Sequence, residues 1–287
     1  FQAEDGIRDR SPSRGLGDVY KRQDMTNTIV ILAAGMSSRM KKSTDSSIGL
    51  TKADEANKKS KSLITFGNKP FIYFLLENIV DAGFQNVIMV VGQDYEDFKN
   101  EMDKFPNISK INIEYAIQSI PENRVKPFGT ADAVYQTMDQ IDKLKNQSFC
   151  VCNSDNLYST KSLKLIRENS YDNAVLAYDR DSLNFPKDRV SSFSILMTNS
   201  EFNLVNFIEK PTQEQVEQNL DDNGKIRVSM NIFKFDGSQA FEFIKSCPVN
   251  PLRNEKELPS AIVNMISHDS LYMKGIPIAA VSYTHLT

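Results

Sequence analysis

The chain has 287 residues, 40% of them hydrophobic, with a formal net charge of -3 and three cysteines. That length and apolar content can bury the core of one large α/β domain, while the near balance of charge supplies no global basic field and excludes a dedicated nucleic-acid binder. No apolar run approaches the roughly 18 residues needed to span a bilayer, so a soluble, cytoplasmic protein without membrane partners is expected.

Residues 1–24 carry Gly, Ser, Pro and Arg without a sustained apolar period and without the apolar segment of a secretory signal. They resemble translated sequencing-adapter sequence and are set aside as a non-native or disordered leader. The domain is expected to begin at Met25.

Residues 29–32 read Ile-Val-Ile-Leu, an apolar run without polar alternation, as in a strand buried on both faces of a parallel sheet. Ala33, Ala34 and Gly35 then remove side-chain bulk. Backbone there can approach a flat ligand closely, and Gly35 can take dihedrals closed to other residues. Ser37 and Ser38 follow with hydroxyls, and Arg39 with a planar fork of donors suited to phosphate oxygens. The stretch reads as a strand feeding a phosphate loop, with Leu32, Ala33, Ala34 and Gly35 against a nucleotide. Its glycine spacing is neither that of a Walker loop nor that of the dinucleotide fingerprint, so a tight turn after a core strand is the competing reading.

From 41 to 60 the chain is polar and charged, as in a loop over a site, and it leads to Lys61. Pro70 is placed to open a helix in which Phe71, Phe74, Leu75, Ile79 and Ala82 fall at helical spacing before Gly83 closes it. The pattern then predicts a strand at 86–91, an amphipathic helix at 94–105, a strand at 111–117 and a helix at 129–141. A strand at 149–152, a helix to about 169 capped by Ser159 or Thr160, and a strand at 174–178 follow. Such alternation implies an α/β fold with a doubly wound, mostly parallel sheet and right-handed crossovers. Cys150 and Cys152, two apart on a strand, would share one face as reduced core thiols. After Asp179 strand-rich segments at 192–197, 204–208 and 228–235 are expected to supply the pocket of a second substrate.

Ligands in such sheets bind beyond the carboxyl ends of the strands, and three groups of residues sit there. The loop at 32–39 is one. Asp155, just after the buried strand, is a second: a carboxylate at a strand exit can hold Mg²⁺ together with phosphate oxygens, or it can be a turn residue. Gln118 with Gly129 and Thr130 is the third. A glutamine amide both donates and accepts and so can read a base edge, while a glycine lets the base lie against backbone. The bland alternative is an amide on a strand and a glycine starting a helix. Glu209-Lys210-Pro211 follows an apolar strand, and each of its charges alone would be a surface group.

The run Leu32-Ala33-Ala34-Gly35-x-Ser37-Ser38-Arg39-Met40 closely resembles the signature of the sugar-phosphate nucleotidyltransferases, also called nucleotide-sugar pyrophosphorylases. In the family's order, Lys61-Ser62-Leu63 resembles its Lys-Pro-Leu/Met, Gln118 with Gly129-Thr130-Ala131 its base-recognition segment, Asp155 its metal-binding Asp, and Glu209-Lys210-Pro211 its Glu-Lys-Pro. The resemblance spans 29–235 and implies a Rossmann-like, GT-A-type sheet with a strand-rich substrate-binding half. It implies that a sugar 1-phosphate oxygen attacks the α-phosphorus of a nucleoside triphosphate, giving an NDP-sugar and pyrophosphate. Arg39 would meet the leaving pyrophosphate, Lys61 the α-phosphate, and Asp155 the Mg²⁺ cofactor. Glu209 would contact sugar hydroxyls, Lys210 the sugar phosphate and Asn231 the sugar. No general base is needed, because a phosphate monoester is already anionic, and His268 and His285 are the chain's two histidines.

Ser62 replaces the family's proline, and Asn231-Ile232-Phe233 stands where the family often has Gly before an aromatic. Three other functions stay open. One is cytidylyl transfer to a phosphorylated amino-alcohol. The others are a nucleotide-sugar-dependent glycosyltransferase, for which Asn153-Ser154-Asp155 would be a degraded Asp-x-Asp, and a catalytically silent nucleotide-binding regulator. One glutamine specifies neither base nor sugar, and nothing in the sequence specifies an oligomer. The family's second metal carboxylate has no match before 280, Asp269 being the nearest. Residues 281–287 resemble a non-native tail, so the expected catalytic domain is 25–280, cut short at its C-terminus.

Overall fold

The computed structural model describes residues 25–34, 65–66, 69–93, 95–104, 110–183, 193–268, 273–279 and 284–285. The apolar run that opens the domain becomes the middle of its sheet. Strands β1 (Thr28–Leu32), β2 (Asn86–Val91), β3 (Asn112–Ile117) and β4 (Ser148–Asn153) are mutually parallel in the order β4-β1-β2-β3. Ile29, Val30 and Ile31 are fully buried, but on opposite sides. Ile29 and Ile31 join one hydrophobic core and Val30 the other. A strand covered on both faces needs apolar residues at every position, which is why no alternation shows in its sequence.

Helices α1 (Phe71–Asp81), α2 (Glu96–Met102), α3 (Thr130–Gln140) and α4 (Thr160–Glu168) connect these strands and cover the sheet. α1, α2 and α4 add Leu75, Phe98 and Ile166 to the core that holds Ile29, while α3 adds Val134 and Met138 to the core that holds Val30. Pro70 sits at the N-cap of α1, and Gly83 at φ 88 terminates it. Ser159 caps α4, its side chain accepting from the Ser162 N–H at 3.1 Å. Cys150 and Cys152 do share a face, in the Ile29 core, and both are free. Burial pushes the Cys150 thiol up to about 12, so it stays an unreactive core residue.

The second half departs from simple alternation. Strands β5 (Ala174–Asp179), β6 (Ile195–Thr198), β7 (Leu204–Ile208), β8 (Arg227–Asp236) and β9 (Lys274–Ile278) complete a nine-stranded sheet. The long β8 runs antiparallel between β4 and β5 and also meets β6, while β9 lies parallel beside β5. Helices α5 (Gln213–Gln218), α6 (Gly237–Lys245) and α7 (Leu258–His268) complete the fold. Thr212 and Gln215 form a reciprocal capping box at α5. Asp236 accepts from the N–H groups of Ser238 and Gln239 at the start of α6. α6 and α7 add Ile244 and Met265 to the Val30 core. Thr284–His285 pairs antiparallel with Asn156–Leu157. No helix among the described residues is long and apolar enough to cross a membrane.

Candidate active site

The parallel strands end together. Ala33 N–H donates to the Val90 carbonyl oxygen at 2.8 Å, Gln118 N–H to that of Val91 at 2.8 Å, and Ser154 N–H to that of Leu32 at 3.2 Å. The segments that leave β1, β3 and β4 are thereby fixed to one another at the carboxyl edge of the sheet. Ala33 is buried, and Leu32 and Ala34 are half-buried, at the start of the first loop. Gly35, Ser37, Ser38, Arg39, Lys61 and Asp269 lie outside the described residues.

Gln118 is 4% exposed. Its amide donates to the Gly129 carbonyl oxygen at 3.0 Å and to Asp132 Oδ2 at 2.9 Å, so the two parts of the expected base-recognition segment do meet. The Gln136 amide also donates to Asp132 Oδ2, at 2.8 Å, donates to the Ser119 carbonyl oxygen and accepts from the Ser119 N–H. With its NH₂ group spent inside this network, Gln118 has its carbonyl oxygen left for a ligand donor.

Gly129 has a structural reason to be glycine. It sits at φ 106, and a Cβ there would lie 2.3 Å from the Lys256 carbonyl oxygen. That oxygen accepts from Ala131 N–H at 2.9 Å, and Thr130 Oγ1 accepts from Leu258 N–H at 2.9 Å. The start of α3 is thus stitched to the start of α7. Arg124 lies 4.1 Å from the Phe128 ring and donates to the Asn254 carbonyl oxygen, which extends the same seam.

Asp155 is half-buried in the turn after β4, and Asn231 occupies an irregularity of β8 where the register against β5 shifts between Ser229 and Phe233. Asn231 has φ 56, a left-handed conformation that Asn tolerates better than most residues. Tyr158, fully buried, donates its hydroxyl to the Met230 carbonyl oxygen at 2.7 Å. Asn156 donates to the same oxygen at 3.1 Å and to the Tyr158 hydroxyl at 2.9 Å. The turn bearing Asp155 is therefore fastened to the bulge bearing Asn231.

Glu209 and Lys210 follow β7. Lys210 is exposed at φ 46, and Glu209 is half-buried. Glu257, a residue 5% exposed at the threshold of α7, adds its charge to that of Glu209. Glu257 also pairs with Arg253 Nη1 and accepts from Asn250 Nδ2 at 2.9 Å. Burial, together with the charge of Glu257, pushes the Glu209 carboxyl up to about 7 against the pull of Arg253 and Lys210.

Among the described residues no group of three or more His, Cys, Asp or Glu side chains could hold a metal ion. Asp155 is a single carboxylate at a strand exit. Its donor chemistry fits Mg²⁺ shared with phosphate oxygens, and does not build a metal cage of protein ligands alone.

Tyr158, Asn156, Glu257, Arg253 and Asn250 escaped the sequence reading. The signal that the sequence offers for Arg253 and Glu257 is an oppositely charged pair four residues apart. Such a pair usually marks a solvated surface.

The chain matches the family model described as nucleotidyl transferase over residues 29–277. It is 26% identical over 212 residues to a glucose-1-phosphate adenylyltransferase of Photobacterium profundum, covering 72% of this chain and 49% of the relative. It is 22% identical over 245 residues to the bifunctional protein GlmU of Staphylococcus saprophyticus, covering 85% of this chain and 46% of the relative. The chain spans about half the length of the curated relatives it matches. A crystal structure of UDP-glucose pyrophosphorylase complexed with UDP-glucose is similar with a TM-score of 0.61 at 17% identity, over 85% of this chain and 88% of that one. That likeness is one of fold.

Proposed function

This chain belongs to the nucleotidyl transferase family, and from that premise we propose that it joins a nucleoside triphosphate to a sugar 1-phosphate, releasing pyrophosphate and an NDP-sugar. The observation that carries the reading is the family match over 29–277, which takes in every candidate residue from Leu32 to Asn231. A phosphate oxygen of the sugar 1-phosphate forms a bond to the α-phosphorus as the bond from that phosphorus to the bridging oxygen breaks, and pyrophosphate leaves with the electron pair. The nucleophile has no proton to lose, so the protein's work is positioning and charge neutralisation.

In this reading Leu32, Ala33, Ala34 and Gly35 lie against the nucleotide, and Gln118 accepts from the base through its free carbonyl oxygen, with Gly129 and Thr130 holding the wall beside it. Arg39 meets the leaving pyrophosphate and Lys61 the α-phosphate. Glu209, Lys210 and Asn231 take the sugar phosphate. Asp155 would hold Mg²⁺, which when bound neutralises charge on the phosphate oxygens. We place the reaction in the cytoplasm, a reading supported by the lack, among the described residues, of a helix long and apolar enough to cross a membrane.

The test is a pyrophosphate-release screen of ATP, UTP, CTP and GTP against a panel of sugar 1-phosphates. One relative's name makes glucose 1-phosphate with ATP the first pair. Release with at least one pair is expected. Release confined to CTP with a phosphorylated amino-alcohol would move the activity to the neighbouring class, and no release with any pair would overturn the proposal.

A further inference from the structure

Helix α3 lays three polar side chains against the outermost parallel strand. Asp132, Gln136 and Gln140 stand four residues apart and so share one face of the helix. β3 ends the strand order of the sheet among the described residues, which leaves its outer backbone groups without a neighbouring strand. Gln140 accepts from the Ile117 N–H at 2.9 Å and donates to the Ile117 carbonyl oxygen at 2.8 Å. Gln136 accepts from the Ser119 N–H at 2.8 Å and donates to the Ser119 carbonyl oxygen at 3.1 Å. The two glutamines stand in for the missing strand. Between them, Gln118 turns its own N–H inward to the Val91 carbonyl oxygen at 2.8 Å.

Asp132 carries this ladder on to the Gln118 side chain. It is 8% exposed, and its Oδ2 accepts from Gln118 at 2.9 Å and from Gln136 at 2.8 Å. A carboxylate oxygen only accepts, and so does the Gly129 carbonyl oxygen, which takes the other side-chain N–H of Gln118 at 3.0 Å. A reversed amide would set its own oxygen against both acceptors, so one orientation remains. Among the described residues no donor meets the Gln118 carbonyl oxygen.

We propose that Asp132 is a positioning residue that determines base specificity: by locking the Gln118 amide it makes that side chain an acceptor alone, so that a base is taken through an N–H donor. This rests on the reading of Gln118 as the base contact. An unlocked glutamine amide can turn to suit a donor or an acceptor and so selects neither. A base that brought a carbonyl oxygen to the locked amide would set oxygen against oxygen, and a site built for one hydrogen-bond polarity rejects the other. The triphosphate is common to every nucleotide, so Asp132 acts on the choice among bases.

The experiment measures calorimetric Kd values of the full chain for ATP, CTP, GTP and UTP in wild type, Asp132→Asn and Asp132→Leu. The quantity compared is the ratio of the weakest Kd to the tightest, which needs no turnover and in which the triphosphate contacts cancel. In wild type the ratio should be at least about tenfold, the order of effect of one buried polar contact. Asp132→Asn can keep an amide oxygen in the place of Oδ2 and should retain the ratio. Asp132→Leu supplies no acceptor. Its ratio should fall towards one, with the tightest nucleotide bound several-fold more weakly.

A second readout needs neither ligand nor variant. In ¹⁵N-labelled wild type the side-chain amide protons of Gln118 should exchange slowly with water. Rapid exchange there would overturn the inference even if Asp132→Leu did not fold. A folded Asp132→Leu with the wild-type ratio would overturn it and leave the proposed function standing, as would equal Kd values for all four nucleotides in wild type. Failure of every nucleotide to bind, together with no pyrophosphate release, would remove the function and the inference alike.

Discussion

The hydroxyl of Tyr158 donates to the main-chain carbonyl oxygen of Met230 at 2.7 Å, across 72 residues of sequence. Asn78 donates to the Tyr158 carbonyl oxygen at 2.9 Å, so the residue is tied to α1 as well as to β8. Tyr158→Phe keeps the ring and deletes the donor. Removing one partner from a buried hydrogen bond costs about 1–3 kcal/mol. A modest fall in melting temperature is expected, with a larger proportional fall in kcat/KM as Asp155 and Asn231 lose their common anchor. A variant with a lowered melting temperature and unchanged kcat/KM would confine Tyr158 to the fold.

Gly129→Ala should destabilise the protein by more than about 2 kcal/mol, because it combines a positive φ with a Cβ against the Lys256 backbone. Gly92→Ala is the matched control, since a Cβ there meets nothing within 4 Å. Urea unfolding of the two variants separates the cases, and equal midpoints would mean that the α3 to α7 seam yields easily.

The pH dependence of stability should carry the mark of Glu209. Its folded-state value of about 7 lies above its ordinary 4.5, so between these pH values the folded chain retains a proton that the unfolded chain has released. Stability therefore falls as pH rises through that window, and the relative stabilisation is complete only below it. Glu209→Gln should flatten this part of the profile. Melting temperatures from pH 4 to 8 check it, and parallel profiles for wild type and variant would count against the raised value.

Asp155→Asn retains shape and removes the charge that would hold Mg²⁺. Turnover should fall and the Mg²⁺ concentration for half-maximal activity should rise, with little change in melting temperature because the side chain is only half-buried. Coincident Mg²⁺ titrations would reduce Asp155 to a turn residue. Lys61→Ala should lower turnover by orders of magnitude, and pyrophosphate release from the purified variant checks it; unchanged release would remove Lys61 from the mechanism.

The parallel half of the sheet was legible because burial on both faces writes itself directly into sequence, as Ile29, Val30 and Ile31 show. The helices at 130–140 and 160–168 were legible from periodicity and from Ser159. The helix expected at 94–105 is shorter, Glu96–Met102, and the strand expected at 192–197 is Ile195–Thr198. Local patterns define segments but not their neighbours, so the antiparallel entry of β8 between β4 and β5 left no signal. β9 contains Gly275 and Pro277, which weaken any strand pattern. The Gln118–Gly129 meeting followed from the motif. The burial of Glu257 beside Arg253 and Asn250 did not, because it is created by packing between distant segments.

The place of β8 also sets an order of events during synthesis. β4 has its β1 side satisfied once residue 153 has emerged, but its other edge finds a partner only with residues 232–236. β5, complete at residue 179, likewise waits for β8. For more than the length of β5 to β7, a growing chain therefore carries a hydrophobic strand edge with open backbone groups, the kind of edge on which foreign strands add. A nascent chain halted before Asp236 should bind a holdase chaperone at β4, and release from it should coincide with the emergence of β8 from the ribosome.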